Sequence, residues 1–132
     1  MRVFYISGFR YSLKVWELSG ALERELMYFE KLYKDYKIQH SIFTYGDFDD
    51  LNYIDNEYIR IYPMFSMFKK TESKIITFLL SIVYPFRIRK DLKNKIDVIK
   101  VNQLTGAWVG IILSIILKKP LYIRTGYDQY LF

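Results

Sequence analysis

The chain has 132 residues, a formal net charge of +6 and 52% hydrophobic residues, with no cysteine and one histidine. That length suits one domain, and that apolar content supplies a packed core rather than disorder. The lack of cysteine removes disulfides, thiolate metal sites and cysteine nucleophiles, and a single histidine removes a histidine metal cluster or a two-histidine acid–base pair. Met1-Arg2-Val3-Phe4 leads straight into a strand pattern, without the basic, apolar and small-residue succession of a signal peptide.

Val3 to Ile6 is an apolar run that predicts a strand ending at Ser7-Gly8. A loop is expected from Phe9 to Val15. Leu18, Leu22, Leu26, Phe29 and Tyr33 then recur at helical spacing, with Glu23, Arg24, Glu30, Lys31 and Lys34 on the other face. Strand, glycine-bearing loop and helix make a common opening for nucleotide-handling α/β domains, because a helix N-terminus offers free N–H groups to an anion. There is no G-x-G-x-x-G and no P-loop here. Phosphate contact and ordinary strand–helix packing both fit.

Ile38 to Thr44 predicts a second strand, closed by Tyr45-Gly46-Asp47. Asp47, Asp49, Asp50, Asn52, Asp55 and Asn56 form an acidic loop without the ligand spacing of a calcium site. Glu57 to Tyr62 reads as a third strand, stopped by Pro63. A helix should follow, capped by Thr71 or Ser73, with Pro85 expected to kink or break it. Its uncharged run, Ile75 to Phe86, is too short to span a bilayer. Nine bases and three acids between Lys69 and Lys100 account for the whole net charge. A basic block beside an apolar stretch fits an anionic membrane surface, a phosphorylated acceptor or nucleic acid. A solvated basic helix face is the plain alternative. Nucleic acid rests on charge alone and is not the expected partner.

Ile96 to Val101 predicts a fourth strand, with Asn102-Gln103 at its end. Thr105 to Leu117 is a helix apolar nearly all round, as a helix packed on a sheet must be. Leu121 to Arg124 is a fifth strand, with Thr125-Gly126-Tyr127-Asp128 beyond it. The last strand–helix–strand unit implies a parallel pair with a right-handed crossover. The expected fold is α/β: a mostly parallel sheet with helices on both faces. Ligands in such sheets bind beyond the C-terminal strand ends. Ser7-Gly8, Thr44-Tyr45-Gly46, Asn102-Gln103 and Thr125–Asp128 all fall there. His40, in mid-strand, is read as structural, and Trp16 and Trp108 as core residues.

Trp16-Glu17-Leu18-Ser19-Gly20, Arg24-Glu25-Leu26, Thr44-Tyr45-Gly46, Asn102-Gln103 with Gly106-Ala107-Trp108, and Lys119-Pro120 through Tyr127 carry a resemblance. In order and spacing they resemble the N-terminal half of a family 4 glycosyltransferase of two-domain GT-B architecture. The resemblance implies that residues 1–132 are a Rossmann-like, acceptor-side domain, C-terminally truncated. The donor domain would come from a missing C-terminal part or a separate chain. It implies sugar transfer from a nucleotide-sugar donor to a glycan or lipid-linked acceptor, with retention, no resident cofactor and no metal. Gly8, Ser19 and Gly20 would then approach the donor diphosphate. Tyr45, Gly46, Asn102, Gln103, Arg124, Gly126 and Tyr127 would line the acceptor and sugar cleft. Many members carry a histidine where this chain has Tyr127-Asp128. Tyr127, with a reference pKa of about 10, is no base at neutral pH. Asp128 is a candidate for orienting an acceptor hydroxyl, and the catalytic residue itself is left unassigned by the sequence.

Each residue also has a plain role. Gly8 and Gly20 suit turns, Asn102 suits a helix cap, Arg124 suits a core pair, and Tyr127 suits packing. On the same resemblance the isolated chain is expected to be inactive. It would be cytoplasmic and peripheral at the inner face of the cell membrane, through Thr71–Lys95. The alternatives are a non-catalytic docking subunit of a split enzyme and a small nucleotide-binding module.

Overall fold

A computed structural model describes residues 1–54 and 56–124. Five strands form one sheet: β1 (Arg2–Ile6), β2 (Gln39–Thr44), β3 (Ile59–Pro63), β4 (Val98–Val101) and β5 (Leu121–Ile123). Their order is β3-β2-β1-β4-β5, and every neighbouring pair is parallel. Four helices connect them: α1 (Leu13–Leu18), α2 (Leu22–Tyr36), α3 (Lys74–Leu92) and α4 (Ala107–Leu117). This is a Rossmann-like α/β architecture.

Side-chain alternation along the strands divides the core in two. Phe4, Ile6, Phe43, Ile99 and Val101 point to one face, where Tyr84, Ile88 and Leu92 of α3 and Val109 and Leu113 of α4 cover them. Tyr5, Ile42 and Ile61 point to the other face, against Leu13 and Trp16 of α1 and Phe29 of α2. The sheet thus has helices on both faces, as expected, but the cover thins at β5. Leu121 packs towards α4, whereas Tyr122 on the opposite face is exposed. The fifth strand also ends at Ile123, one residue short of the expected Arg124.

Two expectations about helices are corrected. Part of the predicted Phe9–Val15 loop belongs to α1, which starts at Leu13. Ser12 caps it, accepting from the Val15 N–H at 3.2 Å. A turn at Gly20 (φ 78°) separates α1 from α2, so the expected continuous face from Leu18 onward is broken there. Leu18 is 76% exposed because it ends the first helix rather than starting the second. Pro85 does not end α3, which runs unbroken for 19 residues. A helix-interior proline costs about 3 kcal/mol. Burying Tyr84, Ile88 and Leu92 on the sheet offsets that, at roughly 1.5–3 kcal/mol for each large apolar side chain.

His40 is buried in β2, its ring tilted against that of Phe29 at 4.4 Å, with no hydrogen-bond partner at Nδ1 among the described residues. Burial, and secondarily the Lys100 charge, lower its pKa to about 4, so it is neutral at pH 7. That agrees with its reading as structural.

Candidate functional site

The strand order reverses direction between β1 and β4: the chain goes from β1 outward to β2 and β3, then crosses to β4 and β5. The crevice beyond the C-terminal ends of these two strands is the topological switch point, where parallel sheets of this kind hold ligands. The loops meeting there are Ser7-Gly8 and Asn102-Gln103. The Asn102 N–H donates to the Ile6 carbonyl at 2.9 Å, extending the β1–β4 ladder to the sheet edge. A Cβ on Gly8 would overlap the Gln103 side-chain oxygen and come within 2.8 Å of the Tyr11 ring. One on Gly106 would lie 2.5 Å from the Ser7 carbonyl. Glycine at both positions therefore lets the loop after β1, the loop after β4 and the start of α4 close on one another.

Neither the Asn102 nor the Gln103 amide side chain makes a hydrogen bond among the described residues, and Gln103 is exposed. Helix capping, the plain role open to Asn102, is not what it does. A 3₁₀ turn, Leu104–Gly106, intervenes, and neither it nor α4 has a side-chain cap. Two amides at a switch point with no partner among the described residues offer donors and acceptors together, which suits hydroxyl-rich or nucleobase ligands.

Backbone hydrogen bonds tie the rest of this edge together. Tyr11 N–H donates to the Gly8 carbonyl at 3.1 Å, Tyr45 N–H to the Tyr11 carbonyl at 2.9 Å, and Phe65 N–H to the Gly46 carbonyl at 3.0 Å. Tyr45 and Gly46, after β2, join a hollow of about 270 Å³ that Arg10, Lys14 and Lys70 also line. The Tyr45 ring packs inward, 5.3 Å from Phe9 and 5.0 Å from Phe43. Burial raises its phenol pKa far above the ordinary value.

The residue that organises this hollow is Asp50, which sequence reasoning had left among six polar residues of the acidic loop. It is 2% exposed. Its Oδ2 accepts from the Thr44 hydroxyl at 2.7 Å and from the Leu13 N–H at 3.2 Å. Gly46 leaves room for it: a Cβ there would overlap the carboxylate. The first N–H groups of α1 are thus spent on an internal carboxylate and on Ser12. Burial raises the Asp50 pKa, and the hydrogen bonds from Thr44 and Leu13 oppose that rise. Nothing in the run Asp47-Phe48-Asp49-Asp50 marks the third aspartate as the buried one. Asp47, by contrast, is a turn residue, accepting from the Asp49 N–H at 2.9 Å and lying 3.4 Å from Lys70.

The structure therefore distributes the expected site residues. Gly8, Asn102 and Gln103 meet at the switch point, and Tyr45 and Gly46 lie beside the neighbouring hollow. Ser19 and Gly20 sit at the C-terminal end of α1, where their N–H groups close that helix on Val15 and Glu17. Gly20 lines a separate groove between α2 and the side chains of Tyr53, Ile54, Asn56 and Tyr58. Arg124 is exposed, and its N–H donates to the Val101 carbonyl at 2.8 Å. Gly126, Tyr127 and Asp128 lie outside the described residues. No family model, curated protein or solved structure matches this chain. The geometry carries a coarser conclusion: this is a Rossmann-like fold of the kind that binds nucleotides and cofactors, with Gly8 and Gln103 in close approach at the switch point.

Proposed function

We propose that the chain is the acceptor-side half of a glycosyltransferase. It would bind a sugar-bearing ligand at the β1–β4 crevice, while a further domain or a separate chain supplies most of the nucleotide-sugar site. The observation that supports this reading is the approach of Gly8 to Gln103 at the switch point, with the Asn102 and Gln103 amides beside it unpartnered among the described residues. Sugars are recognised through hydroxyl groups that donate and accept at once, and amides answer both needs. Gly8 is itself buried under Gln103 and Tyr11, so its part in this reading is to let the two loops close rather than to touch a diphosphate. Ser19 and Gly20 would take part only from the far end of α1. Gly126, Tyr127 and Asp128 extend the proposed cleft in sequence.

Transfer needs groups placed around both reacting partners. The chain by itself is therefore expected to bind without turning over. The test is amide-resolved NMR of the labelled chain titrated with nucleotide-sugars, free nucleotides and neutral oligosaccharides. The proposal expects shifts at Gly8, Asn102 and Gln103 with sugar-bearing ligands, and no transfer product from a radiolabelled donor. Shifts with free nucleotides but none with sugars would instead make the chain a nucleotide-binding module. Shifts confined to the α2 groove, or none at all, would refute the reading, and turnover by the chain alone would refute the division of labour.

A further inference from the structure

Helix α3 is apolar on two opposite sides. Thr77, Ser81, Tyr84, Ile88 and Leu92 form its buried stripe. At about 100° per residue, Leu79, Val83 and Phe86 lie on the far side of the helix from that stripe, with Ile75 and Ile76 beside them in the first turn. A solvated helix carries polar residues there. Here Ile75 is 74% exposed, and Leu79 and Phe86 are each 54% exposed. Helix α4 lies alongside: Trp108 Nε1 donates to the Ser81 hydroxyl at 2.8 Å, and its ring is 5.1 Å from Phe78. It adds Ile111 and Ile115, four residues apart, the latter 73% exposed. The two helices thus present a continuous outward apolar layer on the side away from the sheet.

The same layer ends in positive charge. Arg89, Lys90 and Lys93 of the α3 end and Lys118 and Lys119 of the α4 end line a cleft of about 480 Å³ that holds no carboxylate. Lys90 and Lys93 continue the outward stripe of Leu79, Val83 and Phe86 at three- and four-residue steps. Bases near helix C-termini complement the dipole, which explains some of them. It does not explain apolar side chains facing water on the same stripe. A second copy docking by this face would set the cationic end against itself, or against the opposite end, which carries Lys69 and Lys74. No described helix is long and apolar enough to cross a membrane. A helix with apolar residues and lysines sharing one outer face suits the surface of an anionic bilayer, apolar side chains in the acyl boundary and bases on phosphates.

We propose that the outer face of α3 and α4 docks the protein on an anionic lipid surface, with the five-cation cleft at the end of the two helices seated on lipid phosphates. Each strand's C-terminal end, and so the switch-point crevice, lies at the opposite edge from that cleft, because α3 and α4 return the chain antiparallel to the strands. The surface and the crevice are therefore separate.

The test is co-sedimentation of the purified full chain with vesicles of phosphatidylcholine alone and of phosphatidylcholine mixed with phosphatidylglycerol. Binding is expected only to the mixed vesicles and should weaken as salt is raised. The pairs Leu79→Ser with Phe86→Ser, and Lys90→Glu with Lys93→Glu, should each weaken it by about tenfold or more. All four side chains are exposed, so circular dichroism should stay unchanged and urea midpoints should fall only slightly, by the lost dipole and helix-propensity contributions. Equal binding to both vesicle types, or binding untouched by either pair, would overturn the proposal. So would failure to bind vesicles at all, whether the chain stays monomeric or forms a dimer that Leu79→Ser and Phe86→Ser disrupt. The assay contains no sugar or nucleotide, so its failure leaves the crevice reading standing.

Discussion

Asp50→Ala tests the organisation of the ligand edge most directly. The substitution removes the acceptor for the Thr44 hydroxyl and for the Leu13 N–H, both on buried residues. Each buried donor left without a partner costs roughly 1–3 kcal/mol, and the methyl group of alanine leaves them no substitute. Because the two share one acceptor and relax together, the expected loss is about 2–4 kcal/mol rather than the full sum. That is a large fraction of a total stability of about 5–15 kcal/mol. Asp50→Asn keeps an oxygen for Thr44 and is neutral, which suits a carboxyl whose pKa burial has raised. Its expected cost is about 1–2 kcal/mol. Urea unfolding followed by tryptophan fluorescence reads both variants, since Trp16 is buried in the helix whose first N–H, that of Leu13, Asp50 accepts. A double-mutant cycle with Thr44→Val should return a coupling of about 1–2 kcal/mol. An Asp50→Ala variant within about 1 kcal/mol of wild type, at unchanged m-value, would refute the reasoning. It would mean that water reaches these donors.

Acidification should destabilise the fold through His40. Its folded pKa of about 4 lies below the ordinary 6.5, so the unfolded chain binds the proton more readily. Stability is fully present above pH 6.5 and is lost as pH falls towards 4, by about 3 kcal/mol in all. Urea midpoints across that window should flatten in His40→Leu, and an equal slope in both proteins would exclude the histidine. Gly8→Ala should cost about 1–2 kcal/mol as Gln103 and Tyr11 shift, and should abolish the ligand-induced NMR shifts at the crevice. Retained shifts would move the site elsewhere. Gly110→Val should be worse, at about 2–3 kcal/mol, because its side chain meets Val101 and Leu121 where α4 lies on β4 and β5. A melting temperature equal to wild type would show that α4 can lift off the sheet freely.

The parallel α/β class was legible from the alternation of short apolar runs with helical periodicities. Each strand overlaps its expected stretch, though β1 begins one residue earlier, at Arg2, and β3 runs on to Pro63, which pairs with Thr44 at the end of the ladder instead of stopping the strand before it. Boundaries were less legible. Glu57 and Tyr58 read as strand, but β3 begins at Ile59, after Asn56 has accepted from the N–H groups of Tyr58 and Ile59. Such a local side-chain turn competes with sheet pairing and leaves little trace in hydropathy. The Pro85 break was a sound local inference that lost to tertiary packing. Of the site, the loop positions at the strand ends were foreseeable, because topology alone sends them to one edge.

What the sequence by itself determined was therefore the class of fold, the edge where a ligand belongs and the basic block that carries the net charge. Periodicity and strand–helix order are local or topological properties, and they survive without knowledge of contacts. Only the tertiary structure decided which residues of those loops meet. It set Gly8 against Gln103, buried Asp50 among its acidic neighbours under the start of α1, and parted Gly20 from Gly8 along the length of a helix. It also turned the second apolar side of α3 to the outside. The physical reason is the same in each case: a residue's surroundings depend on distances between segments far apart in the chain. Those distances are fixed by how two helical layers close on one sheet.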